Sequence, residues 1–288
     1  MLLLVVVIPP RRDLLTNAYV ADYQRFDTLS SPRMALVGGS HLSFAIDAAQ
    51  VTDSLGINVQ NTGVHSGIGM RYMMDEILAH AREGDIIVVM PFYEQFYDLY
   101  DGSVDGLPAL VLSRLQNFKK LNASQAFYVA KGAPKYIYSN LLNLSRKKKS
   151  QAWGYSSDNY DQFGTETAHW AEESDPSSAK DFTTVANRLN KEYVEDFSNK
   201  INLLRQKGCE VYVLWPITAK SNYQHNLPQI REIEEAMAQN GIRFDAAPDY
   251  FVVDDQYVFN GPAHLNKEGS EIDTRRFIEW ARNTINPK

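Results

Sequence analysis

Residues Ile86 to Met90 read IIVVM, five apolar residues bounded by Gly84-Asp85 before and Pro91 after. The run is too short for an ordinary helix, and without alternation it reads as a strand buried on both faces. Such a strand needs a layer of structure on each side of its sheet. Met34 to Gly39 (MALVGG) is a second buried strand ending at a glycine pair, and Ile57 to Asn61 reads as another short strand. Helical spacing separates them. Phe44, Ile46, Ala49, Val51 and Leu55 predict a helix over Ser43 to Leu55, and Met70, Met73, Met74, Ile77 and Leu78 predict one over Met70 to Ala81. Strand and helix in alternation imply crossover connections and a parallel sheet.

The pattern resumes near the carboxyl end. Phe182 to Gln206 reads as a long helix, Val211 to Trp215 as a strand, and Leu227 to Gln239 as a helix. Ile242 to Asp245 reads as a short strand and Ser270 to Asn283 as a final helix. The predicted fold class is α/β: a three-layer α/β/α, flavodoxin-like sandwich with a central parallel sheet. Between about residues 97 and 181 the alternation stops. This stretch is rich in Tyr, Asn, Ser and Lys, with short helical pieces such as Leu110 to Leu121. It reads as a largely helical or irregular insertion packed over one end of the sheet as a lid. Residues 31–288 form one domain on this reading, preceded by an N-terminal segment, 1–30.

With 44% apolar and 22% charged residues, the chain can bury a sizeable core. A net charge of −6 and a pI near 5.6 argue against nucleic acid as a partner. The basic run Arg146 to Lys149 reads as a solvated loop or helix end. Cys209 is the single cysteine, so neither an intrachain disulfide nor a cysteine-based zinc site is possible. The six histidines are scattered without metal-binding spacing, and neither a metal nor another cofactor is expected. Leu2 to Ile8 (LLLVVVI) is too short to span a bilayer and lacks the flanks of a signal peptide. Two readings fit it: the trailing end of a membrane anchor, or a short buried or disordered segment.

Four blocks could carry chemistry. Gly38-Gly39-Ser40-His41 lies at the carboxyl end of the first strand, where open α/β sheets place their ligands. Ser40 fits there either as a helix cap or as a nucleophile. The turn after the second strand, Asn61 to Gly69, holds Gly63, Gly67 and His65. Its backbone N–H groups either serve an oxyanion or simply turn the chain. After the third strand come Tyr93, Glu94 and Gln95, facing the same cleft or packing within it. Asn260 to Asn266 places His264 before the last helix, as a general base to Ser40 or a structural histidine.

Taken together these blocks resemble the SGNH (GDSL-like) hydrolase superfamily. That family carries a Ser block after strand one, a Gly block after strand two, an Asn block after strand three and a late Asp-x-x-His block. GGSH at 38–41 matches the first, Gly63 or Gly67 the second, and His264 in AHLNKEG the last. The likeness is closer to bacterial envelope members of the DltD and alginate-acetylation type, which read VGSS or VGGS and end in YHLN-x-x-G. The resemblance implies Ser40 as nucleophile and His264 as base, with the N–H groups of Ser40 and Gly67 holding the oxyanion. Gly39, His41, His65, Tyr93 and Glu94 join them as substrate-binding candidates. It implies a carbohydrate or other ester substrate, a place in the bacterial cell envelope, and Leu2 to Ile8 as the remnant of a membrane tether. Two positions depart from the family. Tyr93-Glu94-Gln95 stands where Gly-x-Asn-Asp belongs, and Asn260 and Gly261 stand where an acidic residue is expected. Asp254 or Asp255 from the preceding loop, or a backbone carbonyl, are alternative partners for His264.

Three functional readings follow. The first is a serine esterase or O-acyltransferase. The second is a non-catalytic glycan-binding or assembly protein, with Trp153, Tyr155, Tyr160 and Trp170 stacking on sugars. The third is a nucleotide or phosphate binder using Gly63 to Gly69, which lacks a following Walker lysine.

Overall fold

The computed structural model describes residues 14–145, 156–182 and 188–285. Leu2 to Ile8, Arg146 to Lys149, Trp153 and Tyr155 lie outside the described residues. Four parallel strands form the central sheet: β1 (Arg33–Gly38), β2 (Asn58–Asn61), β3 (Ile86–Met90) and β4 (Glu210–Val213). Their order is β2-β1-β3-β4, with Met34 beside Ile86 and Val88 beside Tyr212. This is the arrangement of a doubly wound sheet.

Alternation along the strands sends side chains to two separate cores. Ala35, Val37, Ile87 and Val89 pack into the first, Met34, Leu36, Ile86 and Val88 into the second. The first core is covered by α1 (Leu15–Thr28), α4 (Met70–His80), α7 (Lys191–Gln206) and α9 (Leu227–Gln239). The second is covered by α3 (Ala48–Leu55) and α10 (Lys267–Thr284). Helices on both faces of a parallel sheet make the three-layer α/β/α fold.

Several boundaries differ from expectation, each for a local reason. The helix expected over Ser43 to Leu55 is two: a single turn, α2 (Ser40–Ser43), and α3. Asp47 separates them, because its carboxylate accepts the Gln50 N–H and caps the second. The long helix α7 starts at Lys191, where Asn190 caps it. Ile242 to Asp245 is not a strand. Asp245 instead holds the edge of β4 with both its groups: its N–H donates to the Val213 carbonyl and its carboxylate accepts the Val213 N–H. Phe244 stacks on Trp215 with centroids 3.7 Å apart.

The stretch from 97 to 181 holds α5 (Leu107–Ser113) and α6 (Ala123–Ser145), joined by a 3₁₀ segment. Leu107, Leu110, Val111, Val129 and Ile137 extend the first core outward, so these helices widen one layer. Residues 156–182 then run to the other side of the site. Late in the chain come β5 (Thr218–Ala219) paired with β6 (Val252–Val253), the helix α8 (Lys220–His225), and a small hairpin of β7 (Val258–Asn260) and β8 (His264–Leu265).

Candidate active site

Ser40 opens α2, just past the carboxyl end of β1. Gly39 precedes it, and a methyl group there would come within 2.9 Å of the Ser66 Cβ. The turns after β1 and β2 therefore touch only because that side chain is missing. His264 reaches the same point by a different route. Asn260 and His264 are a cross-strand pair in the β7–β8 hairpin, whose turn passes through Gly261 at φ +63°. Leu265 is buried in the second core, and the next residue, Asn266, caps α10 by accepting the Gly269 N–H at 3.0 Å. In the run His-Leu-Asn, the first residue thus serves the site, the second anchors the strand in the core and the third starts the helix.

The Ser40 Oγ–H donates to His264 Nε2 at 2.8 Å. On the far side of the ring, His264 Nδ1–H donates to Asn260 Oδ1 at 2.7 Å. An amide oxygen only accepts, so this bond puts the ring proton on Nδ1 and leaves the Nε2 lone pair facing the serine. Phe44 stacks on the imidazole with centroids 4.1 Å apart and planes 17° apart. Burial pushes the His264 pKa down to about 3, with the neighbouring imidazoles of His169, His41 and His65 adding to the shift. The ring is therefore neutral at physiological pH, the form a general base requires.

Ser40, His264 and Asn260 line a cavity of about 250 Å³ together with His41, His65, Ser66 and Glu94. Its two other histidines are held in different ways. His65 Nδ1 accepts the Gly67 N–H at 2.9 Å, so its proton sits on Nε2 and the ring brings an N–H donor. His41 is 2% exposed, its ring hydrogen-bonds the Met90 carbonyl, and Nε2 has no partner. Burial pushes His41 down to about 3, so its ring is neutral in the cavity wall.

Other expected residues fall elsewhere. Gly67 spends its N–H on His65, so it is not the oxyanion donor anticipated; the short turn folds back on its own capping histidine. The Gly63 N–H is likewise taken, by Asn61 Oδ1. Tyr93 is buried beside Phe92 and Trp215 and does not line the cavity. Neither Asp254 nor Asp255 reaches His264. Asp255 binds the backbone and hydroxyl of Ser221, and Asp254 lies by Lys220. Tyr160 and Trp170 do not line this cavity either.

Ser66 and Phe44 belong to the site without a signal in the sequence. Ser66 sits inside the glycine-rich turn, where the glycines are the visible feature, and its backbone and Cβ lie against Gly39. A buried pair is equally silent in the sequence. Glu166 and His169 meet through Oε2 and Nδ1, both fully buried. His169 Nε2–H donates to the Leu265 carbonyl at 2.8 Å, and the Glu166 N–H donates to the Ser43 carbonyl at 2.9 Å. Phe44 lies between the rings of His169 and His264. Residues 166–169 therefore hold the helix of Ser40 and the strand of His264 at once.

Compared with known proteins, the chain matches no protein-family model and no curated protein.

Proposed function

We propose that this protein is a serine ester hydrolase or O-acyltransferase of the SGNH type, acting on an ester of a cell-envelope carbohydrate. The observation that carries this reading is the relay Ser40 Oγ–H to His264 Nε2 and His264 Nδ1–H to Asn260 Oδ1, at 2.8 and 2.7 Å, beside an open cavity. A neutral, tautomerically fixed imidazole on a serine hydroxyl is the arrangement that activates the oxygen.

In the reaction, Ser40 Oγ bonds to the ester carbonyl carbon while His264 Nε2 takes the hydroxyl proton. Negative charge develops on the carbonyl oxygen, and the donors brought to the cavity are His65 Nε2–H and the Ser66 hydroxyl. As the C–O bond to the leaving alcohol breaks, His264 returns the proton to that oxygen and an acyl-Ser40 remains. Water or a second alcohol then attacks the acyl carbon while His264 Nε2 takes its proton, and as the bond from the acyl carbon to Ser40 Oγ breaks, His264 returns that proton to Ser40. The envelope location and the carbohydrate rest on the resemblance of GGSH and AHLNKEG to the family's blocks.

Turnover of an aryl acetate and of an acetylated polysaccharide tests the proposal. Wild type releases acetate and Ser40→Ala releases none above background; equal release by both proteins would refute it. The replacement of a carboxylate by Asn260 favours one other reading, a non-catalytic glycan binder on the same fold. Saturable glycan binding that survives Ser40→Ala, without turnover in either protein, is its signature.

A further inference from the structure

Helix α6 presents an apolar face to solvent. Phe127 and Tyr138 are each 63% exposed and Leu141 is 46% exposed. With Lys131 and Lys135 they follow spacings of four, four, three and three, which place all five on one side of the helix. The opposite side, with Val129, Ala133, Tyr136 and Ile137, is buried in the first core. The face is thus a stripe of aromatic and aliphatic groups interleaved with cations.

Charge along the sequence is segregated at the same place. Residues 106–157 contain nine of the 29 Lys and Arg and none of the 35 Asp and Glu, in a protein of net charge −6. Five of the nine are in the described residues: Arg114, Lys119, Lys120, Lys131 and Lys135. Lys131 and Lys119 are exposed. Lys135 and Lys120 pair with Asp105 and Glu76 through exposed ammonium groups, contacts too weak to hold them from a stronger anionic surface.

We infer that this face docks on the surface of an anionic lipid bilayer, with α6 lying in the plane of the headgroups. Apolar groups between lysines are the signature of an interfacial helix. Lysines gain from the negative surface potential while Phe127, Tyr138 and Leu141 enter the acyl boundary. A soluble polyanion would use the lysines and leave the apolar stripe exposed. A two-fold dimer through this face would bring its lysine rows together, which like charge opposes. Among the described residues no helix is long and apolar enough to cross a membrane.

Vesicle flotation of the full chain tests this inference, using phosphatidylglycerol–phosphatidylcholine vesicles against pure phosphatidylcholine. The expected result is flotation with the anionic vesicles alone, reversed by high salt. The triple variant Phe127→Ser, Tyr138→Ser, Leu141→Ser should partition at least ~10-fold less, and Lys131→Glu with Lys135→Glu should weaken binding similarly. All these positions are exposed, so the thermal melts should match wild type. Leu2 to Ile8 is present in every protein compared, so its contribution cancels. Three results would overturn the inference: no flotation of wild type, flotation of the triple variant equal to wild type, or a wild-type dimer in solution that the triple variant dissociates.

Discussion

Asn260 accepts the His264 Nδ1–H as a carboxylate would, and so orients the ring and selects its tautomer. In the proposed reaction it supplies no charge to stabilise the imidazolium formed when His264 takes the Ser40 proton. Asn260→Asp should therefore raise the rate of Ser40 acylation by at least ~10-fold, read from stopped-flow release of an aryl acetate. Slower acylation in the Asn260→Asp variant would mean that charge at this position is not what limits the wild type. The pH profile gives an independent check. The working form of His264 is neutral, present above its pKa, and burial has lowered that pKa from 6.5 to about 3. Activity of wild type should thus persist undiminished from pH 7 down through pH 5, whereas an ordinary histidine would already be mostly protonated there. In the Asn260→Asp protein the added negative charge raises the His264 pKa, and the acid limb should move upward. Ser40, His264 and Asn260 are all visible in the sequence, because each stands at a strand end in a recognisable block. Ser66 and Phe44 are not, because their roles arise from contact across turns that are far apart in sequence.

The β7–β8 hairpin and the segment 163–169 set the geometry that those residues use. Glu166 and His169 are both fully buried, so solvent does not take the place of either partner when the other is removed. Glu166→Ala would strand a buried histidine next to the strand of His264, and should cost ~3–5 kcal/mol in urea unfolding. In the folded fraction the turnover number should fall more than KM rises, since the loss acts on the placement of His264. Gly164 makes the same segment possible: at φ +82° it passes so close to β2 that an added Cβ would overlap the Asn61 carbonyl oxygen. Gly164→Ala should therefore destabilise by more than ~1 kcal/mol. Strands β1 and β3 are legible as apolar runs bounded by glycine and proline, and α4 and α9 as periodic segments. Two kinds of element mislead. Ile242 to Asp245 has strand composition, yet the Asp245 carboxylate replaces a ladder bond and no strand forms. Helix α1 is hard to read because Tyr19, Tyr23 and Phe26 are aromatic residues scattered among polar ones, with a weak apolar stripe. Residues 163–169 carry no periodic pattern, because they are held by the Asp161 carboxylate and by hydrogen bonds to Ser43, Ile46, Ala48 and Leu265, far away in sequence.

The molecule separates its stability from its chemistry along the length of the sheet. At the amino ends of β1 and β3, Arg33 and Asp85 form a bidentate pair at 2.7 and 2.8 Å, each about 1% exposed. Asp85 also accepts the Arg82 N–H, and Arg33 donates to the Phe26 carbonyl, which ties α1 to the sheet. Asp85→Ala should destabilise by ~3–5 kcal/mol while leaving the activity of the folded protein unchanged, measured by unfolding and by turnover below the midpoint. The carboxyl ends of the same strands hold Ser40 and the turns around it. The α/β/α plan is legible because alternation of strand and helix is a local property. The closing of the site by a hairpin whose histidine lies 224 residues from the serine is legible only through its resemblance to a known arrangement of blocks. The most direct test of an activated serine is covalent: labelling with a fluorophosphonate probe, followed by peptide mapping, in wild type and His264→Ala. Label on Ser40 that disappears when His264 is removed is the predicted result. A folded wild type that takes no label, or one whose Ser40 is labelled equally well without His264, would contradict it.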